Sequence, residues 1–452
     1  MTPAREPHVP FAERCAYPAR PGNAVRALID GEPAFRRICA AIAAARHSVW
    51  ATVAFMTPDF QMPDRQGDLF DVLDRAGQRG VDVRVVFWRP NPQTQVYEPR
   101  TFWGSPEQRR MLAERAPRIS LRWDRAHGSY CQHQKSWLID AGQDGEVAFI
   151  GGINLNPRSV VAPGHTGGGE HENHDAYLEL AGPSASDVHR NFVQRWNEAS
   201  ERQLEGGIWG QGGREDLAEP EAAAAPRGPS TVQVQRTLHA RRYRRSHPDG
   251  EASILEQYLL AIGAARRSIY LENQAFEVRE IAEALRQALE RGVEVVFLAP
   301  AEPEAALNIA PTPERLAFLE ARAALAAYPH FTLAGIAGLD ARGRRRDVYV
   351  HAKLMIVDDA WATIGSGNLH GYSLFGSTEM NAAVWDPAFA RALRCELFAE
   401  HLGLDTDGLD DMQALRLFRR IAAENRGKRA AGKGDWQGSA FALDPAIYGR
   451  AA

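Results

Sequence analysis

An α/β fold is predicted for this chain by three observations. Segments with helical spacing of apolar residues alternate with short β-branched runs, the pattern that layers helices on a sheet. The alternation occurs twice, in the same order. Each copy also leads into a histidine and a lysine two residues apart, His133-Gln-Lys135 and His351-Ala-Lys353.

The elements follow in register. Phe35, Ile38, Ala41 and Ile42 have helical spacing and lead into Arg46-His47-Ser48-Val49-Trp50. Ile254, Leu255, Tyr258, Leu259 and Ile262 do the same before Arg266-Arg267-Ser268-Ile269-Tyr270. Residues 69–79 read as a helix ended by Gly80, with Val81, Val83, Val85 and Phe87 as the next strand. The counterparts are a helix over 281–291, Gly292, and a strand over 293–298. The offsets are 220 residues for Ser48/Ser268, 212 for Gly80/Gly292, 218 for His133/His351 and 214 for Gly151/Gly365. Loop insertions explain such drift; chance does not keep the order. Val232-Gln-Val234-Gln-Arg236 reads as the first strand of the second copy. The stretch 203–229, rich in Gly, Ala, Glu and Pro, reads as a linker or surface excursion. A helix is expected over 412–425, and 436–448 fits no element clearly.

Composition narrows the class. The 452 residues are 44% apolar and 24% charged, an ordinary globular balance. Lys+Arg 53 against Asp+Glu 57 gives −4, without the basic footprint usual for nucleic-acid binding. Two local basic clusters, Arg241 to Arg245 and Arg344 to Arg346, read as solvated loops or as docking points for an anionic membrane surface. The four cysteines have no C-x-x-C spacing, so no zinc or disulfide framework is expected and a reducing compartment fits. No secretory h-region and no apolar run of about 18 residues is seen. The expectation is a cytoplasmic monomer, peripheral to the membrane, meeting any lipid from the water side.

The two copies supply two imidazoles, two ammoniums and two amides. Each copy reads on from its H-x-K pair into an apolar run that places both side chains on one strand face. Asp140 and Gly151-Gly152-Ile153-Asn154 follow in the first; Asp358 and Gly365-Ser366-Gly367-Asn368 follow in the second. That inventory suffices to attack a phosphodiester without a metal or other cofactor.

These residues closely resemble the phospholipase D superfamily, whose signature is H-x-K-x4-D-x6-G-S-x-N. The second copy fits at every position. The first departs twice: Gly152 stands where the second copy has Ser366, and ten residues rather than six separate Asp140 from Gly151. The segment 141–146 reads as a hairpin insertion, and Asp144 would restore the six-residue spacing, so either aspartate can be the counterpart. Further segments are similar to lipid-acting members: Ser268-Ile-Tyr-Leu-Glu-Asn-Gln-Ala-Phe276, Phe149 to Leu155, His174-Asp175, Phe192 to Asn197 and Glu400-His-Leu-Gly403. The resemblance spans roughly residues 23–403. It implies two similar α/β/α sandwich domains related by pseudo-two-fold symmetry, with the active site at their interface and each half inert alone. The expected division is 23–202, the linker 203–229, then 230–403, with 404–452 as a C-terminal extension.

The chemistry suits the residues. Neutral imidazole avoids the repulsion that a phosphodiester presents to anionic nucleophiles, and histidine is neutral near pH 7. One histidine attacks phosphorus to form a phosphohistidine; the other protonates the leaving alcohol, then activates water or an acceptor alcohol. The resemblance makes His133 the nucleophile and His351 the acid and base; the residues themselves leave that choice open. Lys135, Lys353, Asn154 and Asn368 are expected around the nonbridging oxygens, with Ser366 as a further hydroxyl. Asp175 and Glu379, each opening an expected strand, are the candidate carboxylates for holding the imidazoles. The resemblance makes Asp140 and Asp358 structural ion-pair partners away from phosphate.

Other features have plainer readings. His165, His171 and His174 beside Asp175 could suggest a metal, but the run Gly167-Gly-Gly-Glu170 points to a flexible loop near the pocket, and no metal is expected. His370 either lines the pocket or serves a loop. Trp88, Trp137 and Trp361 read as core; Trp103 is the candidate for contact with a lipid interface. Gly151-Gly152 lacks the spacing of a dinucleotide fingerprint. The expected activity is therefore head-group cleavage or transfer on glycerophospholipids, cardiolipin-synthase-like transfer included. A nuclease of the same superfamily is the alternative, disfavoured by the net acidity. An inactive lipid-binding scaffold is disfavoured by two complete H-x-K sets.

Overall fold

The computed structural model describes residues 8–95, 99–168, 172–201, 215–302 and 313–449. In the first half, β1 (Arg20–Ile29) leads into α1 (Gly31–Ala44), β2 (Ser48–Val53), α2 (Leu69–Gln78) and β3 (Asp82–Trp88). Next come α3 (Pro106–Arg115), β4 (Ile119–Asp124), β5 (Ser136–Ile139) and β6 (Val147–Gly151). The short β7 (Thr166–Gly168) and β8 (Asn173–His174) precede β9 (Ala176–Ala181) and α4 (Ala185–Asn197). The second half opens with β10 (Ser230–Leu238), β11 (Glu251–Ala252), α5 (Ser253–Ala264), β12 (Ser268–Asn273) and α6 (Arg279–Glu290). It continues through β13 (Glu294–Leu298), α7 (Pro313–Ala324), β14 (Phe331–Asp340), β15 (Arg345–Val350) and β16 (Lys353–Val357). It closes with β17 (Trp361–Gly365), α8 (Gly371–Phe375), β18 (Glu379–Trp385), α9 (Pro387–Leu402), α10 (Asp411–Ala430) and β19 (Ala440–Ala442).

Pairing makes the repeat explicit. The first sheet has the order β1-β9-β6-β5-β2-β3-β4. The second has β10-β18-β17-β16-β12-β13-β14. In both, the first four links are antiparallel and the last two parallel, as β-α-β crossovers require. The sheets meet where β1 pairs with β10, Arg20 opposite Val232. Strand β9 touches β17 just as β6 touches β18. Exchanging the halves turns each of those contacts into the other, which is the relation a pseudo-two-fold axis imposes.

Burial explains the layers. Along β2, Val49, Ala51 and Val53 join the core beneath α1 and α2, while Trp50 faces the other way. In β12, Ile269 and Leu271 pack under α5 and α6, and Tyr270 points to the opposite face. The two inner faces share one continuous core with α4, α9 and α10. Each sheet is thus covered on both sides, and the layer between them belongs to both halves. Trp88, Trp137 and Trp361 are buried, as expected.

Several elements differ from the sequence reading. Helix α10 extends beyond the expected 412–425 and packs on the inner face of the second sheet. Within 436–448, β19 pairs antiparallel with β14. So α10 and β19 build the described part of 404–452 into the second sheet and the common core. Of the expected linker, 203–214 lies outside the described residues; 215–229 carries no helix or strand. The loop 141–146 lengthens the β5–β6 hairpin. Segment 165–174 was expected as a loop near the pocket. Instead it crosses to the second half, with β7 pairing with β14 and β8 with β15; His171 lies outside the described residues.

Candidate active site

The two H-x-K segments sit where one half's strand meets the other's. His133 N donates to Thr378 O at 2.9 Å, and His351 N donates to His174 O at 2.8 Å. Each carbonyl lies one residue before a carboxylate that opens or precedes a strand, Glu379 of β18 or Asp175 before β9. The side chains continue the exchange. His133 Nδ1 donates to Glu379 Oε2 at 2.9 Å, and His351 Nδ1 donates to Asp175 Oδ2 at 2.5 Å. Each histidine is held by a carboxylate from the opposite half. With Nδ1 as the N–H, Nε2 carries the lone pair. Asn154 Nδ2 reaches His351 Nε2 at 3.4 Å, so a first-half amide and a second-half imidazole share the cleft.

The cleft is electrostatically set for neutral imidazoles. Burial pushes the His133 pKa down, with Lys135 and Lys353 adding to that and Glu379 opposing it. Burial, with Lys353, lowers His351 to about 4 against the pull of Asp175. Burial also lowers Lys135 to about 7, with Lys353 repelling it and Glu379 opposing the shift. The Glu379 carboxyl stays below its usual range because His133, Lys135 and the Ser366 hydroxyl outweigh its burial. Lys135 Nζ donates to His133 O at 2.9 Å, and Lys353 Nζ makes the equivalent bond to His351 O. Both ammoniums thus lie beside their own histidine. The Oδ1 atoms of Asn154 and Asn368 are buried without a protein partner.

Ser366, expected as an added phosphate donor, has another task. Its Oγ donates to Glu379 Oε2 at 2.6 Å, and Ser373 Oγ donates to Oε1 at 2.5 Å. The first-half departure at Gly152 follows from this. A Cβ on Gly152 would lie 2.4 Å from Asp175 Oδ1 and 3.0 Å from Lys353 Cδ. The shorter Asp175 carboxylate lies against the backbone where a serine would stand.

Asp140 and Asp358 lie away from the cleft, at matching turns with φ of 52° and 55°. Asp140 accepts from the backbone N–H groups of Arg46, His47 and Ser48 at 2.7–3.1 Å. Asp358 accepts from Arg266, Arg267 and Ser268 at 2.8–2.9 Å. The shared task identifies Asp140, not Asp144, as the counterpart. The ion-pair expectation is modified: backbone N–H groups at the head of β2 and β12 are the main partners, with His8 joining Asp358.

Trp103 is half-buried, with the Arg89 guanidinium 4.6 Å over its ring. The exposed large rings beside the motif are instead Tyr372 and Phe375 of α8, 48% and 50% exposed. His370 caps α8, its Nδ1 accepting from Ser373 N at 3.1 Å. Burial holds it near 4, with Glu379 opposing and His133 adding to the shift. Sequence reasoning missed Phe55, whose ring lies 5.5 Å from His133 and 5.6 Å from Lys135 Nζ. It also missed Gln274, whose Oε1 accepts from Lys353 Nζ at 3.1 Å. Their one signal was position, just beyond β2 and β12.

The chain is similar to known proteins. A family model described as "Cardiolipin synthase, PLD-like domain" matches residues 38–196 and 258–401. The chain is 26% identical over 388 residues to cardiolipin synthase B of Escherichia coli (strain K12), covering 85% of this chain and 81% of that protein. It is 27% identical over 381 residues to cardiolipin synthase A of Pseudomonas entomophila (strain L48), covering 82% and 67%. The crystal structure of phosphatidylserine synthase from Haemophilus influenzae Rd KW20 superposes with a TM-score of 0.57 at 14% identity. That match covers 93% of this chain and 97% of that one, a likeness of fold. With both halves matched by one family model, each bringing its histidine to the other's carboxylate, the chain belongs to the cardiolipin synthase, PLD-like domain family of the phospholipase D superfamily.

Proposed function

We propose that this protein transfers a phosphatidyl group from a glycerophospholipid to an alcohol, with water as a competing acceptor, through a covalent phosphohistidine. The observation that carries the reading is the reciprocal pairing of His133 with Glu379 and His351 with Asp175. It supplies two imidazoles of fixed tautomer to one cleft lined by two ammoniums. The names of the similar proteins, cardiolipin synthases, agree with transfer to a polyol or lipid alcohol.

In the first step His133 Nε2 attacks phosphorus, the P–N bond forms and the P–O bond to the head group breaks. The leaving oxygen takes a proton from His351 Nε2. That proton is taken up as the anionic diester binds, and Asp175 balances the imidazolium. Burial and the two lysines keep His351 neutral in the free protein, so the substrate's own charge helps create the acid. In the second step the acceptor O–H gives its proton back to His351, its oxygen bonds phosphorus, and the P–N bond breaks. Lys135, Lys353, Asn154 and Asn368 face the nonbridging oxygens, where charge grows. No step needs a metal. Tyr372 and Phe375 at the cleft rim take the lipid-contact role that the sequence reading gave to Trp103. Among the described residues no helix is long and apolar enough to cross a membrane.

The test is a lipid panel in vesicles, read by mass spectrometry with and without ethanol. Phosphatidylethanol, and cardiolipin from phosphatidylglycerol alone, are the expected products. With a labelled phosphatidyl ester of p-nitrophenol, whose leaving group needs no acid, His351→Ala should accumulate a phosphohistidine at residue 133. Cleaved plasmid without any lipid product would overturn the lipid reading. Lipid turnover with label on no histidine would overturn the covalent route.

A further inference from the structure

Behind Asp175 lies a second set of titratable groups that the reaction does not use. Asp30 ends the first strand, His165 and His174 flank the segment crossing to the second half, and Glu400 comes from α9 of that half. His165 Nε2 lies 3.4 Å from Asp30 Oδ2 and 3.4 Å from Glu400 Oε1. His174 Nδ1 lies 3.0 Å from Asp30 Oδ1 and 3.6 Å from Glu400 Oε1. One ligand atom from each of the four falls within 4.8 Å of every other. A tetrahedral zinc ion with arms of roughly 2.0–2.1 Å needs ligand atoms about 3.3–3.4 Å apart. The separations measured here are 3.0–3.6 Å, with Asp30 facing His165 through Oδ2 and His174 through Oδ1.

Three of these atoms, Asp30 Oδ2, His165 Nε2 and His174 Nδ1, are buried and make no well-formed hydrogen bond; their polar contacts are the ion pairs within the cluster. Their residues are 0%, 3% and 0% exposed. Such atoms are costly to leave unsatisfied. The outward nitrogens are, by contrast, partnered. His165 Nδ1 donates to Glu172 Oε2 at 3.2 Å, and His174 Nε2 donates to Glu272 Oε2 at 2.9 Å. Glu272 is itself anchored by Tyr270 at 2.7 Å and His401 at 3.1 Å. A carboxylate on the far nitrogen of each imidazole fixes the tautomer that turns a lone pair inward, the usual outer shell of a metal-binding histidine. Asp30 keeps this place at φ 62° and ψ 161°, a backbone region that only glycine adopts without strain.

Among the described residues the set has no counterpart in the internal repeat. The position equivalent to Glu272 in the first half is Thr52, whose hydroxyl pairs with Ser136 at 2.7 Å. Against their burial, Asp30 and the nearby glutamates hold both imidazoles above the usual range in the metal-free protein, so an ion would displace their protons; the two carboxylates with deprotonated imidazoles then carry −2, which a divalent ion would balance. Mixed nitrogen and oxygen ligands in a tetrahedral frame suit zinc.

We propose that Asp30, His165, His174 and Glu400 bind a zinc ion that pins the two halves together directly behind the active site. Three ligands come from the first half and one from the second. The ion does not touch phosphate. Its link to chemistry is positional: His174 precedes Asp175, and Asp30 and Asp175 are joined through backbone, with Asp30 N donating to Asp175 O at 2.8 Å. The proposal is independent of the lipid reaction, since its readout is metal content and stability.

The experiment uses the full chain, free of any affinity tag, purified without chelator from zinc-supplemented cells. Elemental analysis should find about one zinc per chain, as a closed four-ligand site predicts. His165→Gln and Glu400→Gln should each lower that at least about tenfold, while His351→Ala keeps it. Cobalt substituted into the stripped wild-type protein should show the visible bands of a tetrahedral ion, and the melting temperature should fall on stripping and recover with zinc. Wild-type protein with under about a tenth of an equivalent, no cobalt bands and a melting temperature indifferent to zinc overturns the site. Full zinc retained in folded His165→Gln or Glu400→Gln places the metal elsewhere and overturns it too. Should either variant fail to fold, the wild-type measurements decide alone.

Discussion

His133 Nδ1 lies 2.9 Å from Glu379 Oε2, so the first histidine takes its carboxylate from the second half of the chain. The partner relation holds for His351 and Asp175. Each half supplies an imidazole to the shared cleft and a carboxylate to the other half's imidazole. Neither half alone holds a correctly oriented histidine.

Asp175→Asn and Glu379→Gln test this exchange. Each leaves an amide where the imidazole N–H needs an acceptor, and an amide that turns its NH2 inward selects the wrong tautomer. A loss of about 10²–10⁴ in kcat with little change in KM is expected, by analogy with other histidine–carboxylate pairs. A discriminating readout is the downfield Nδ1–H resonance. Asp175→Asn should remove the one assigned to His351 and keep that of His133; Glu379→Gln should do the reverse.

The alkaline decline of kcat/KM should steepen near 7. Lys135 is lowered to about 7 by burial, with Lys353 adding to the shift. Below that pH it is an ammonium that can bind phosphate; above it the charge is lost. Proton uptake by His351, lowered to about 4, already makes kcat/KM decline roughly tenfold per pH unit above that value, and loss of the Lys135 charge adds a further factor of roughly ten per unit above 7. On the acid side the neutral nucleophile persists below the usual imidazole range, because the His133 pKa is lowered. Lys135→Arg keeps its charge at all working pH values. An alkaline limb unchanged in that variant would assign the titration to another group.

Gly152→Ser restores the residue found at the second-half position and is expected to harm the protein's activity. The added Cβ meets Asp175 Oδ1 at 2.4 Å, so the carboxylate must move away from His351. A drop in kcat of at least about tenfold is expected, since small displacements of an orienting group are costly. The reciprocal change, Ser366→Gly, should act by loosening Glu379, which loses a hydroxyl donor at 2.6 Å. Steady-state kinetics on both variants checks the pair.

Asp140→Ala and Asp358→Ala should act on stability and not on chemistry. Each removes the acceptor for three backbone N–H groups at the start of a central strand. A cost of about 2–4 kcal/mol is expected for either, since several buried donors lose their partner together. Denaturant unfolding measures it; kcat of the folded fraction should stay within about twofold.

Much of this was legible in the residue order. Period-3.6 stretches such as Phe35 to Ile42 and β-branched runs such as Val81 to Val85 fix their own local structure. Two glycines in the left-handed region, Gly80 and Gly292 at φ 84° and 85°, end equivalent helices. The duplicated H-x-K spacing identified both histidines and both lysines, because motif residues close in sequence must share a face. Glu379 and Asp175 could be named from sequence as carboxylates near a histidine. The sequence alone determined the α/β class, the internal repeat and the inventory of reacting groups.

Tertiary structure decided which carboxylate serves which histidine, because that contact spans 246 residues in one case and 176 in the other. It placed the Ser366 hydroxyl on Glu379, half-buried Trp103 under Arg89, and left Tyr372 and Phe375 as exposed rings beside the second motif. It drew α10 and β19 into the second half's sheet and the common core. It also turned His165 and His174 from an expected loop into a buried cluster with Asp30 and Glu400, which lie 370 positions apart in the chain. Local spacing records only what neighbours along the chain can reach. The distances that set tautomer, charge and coordination arise between strands that meet only after both sheets have packed on one core.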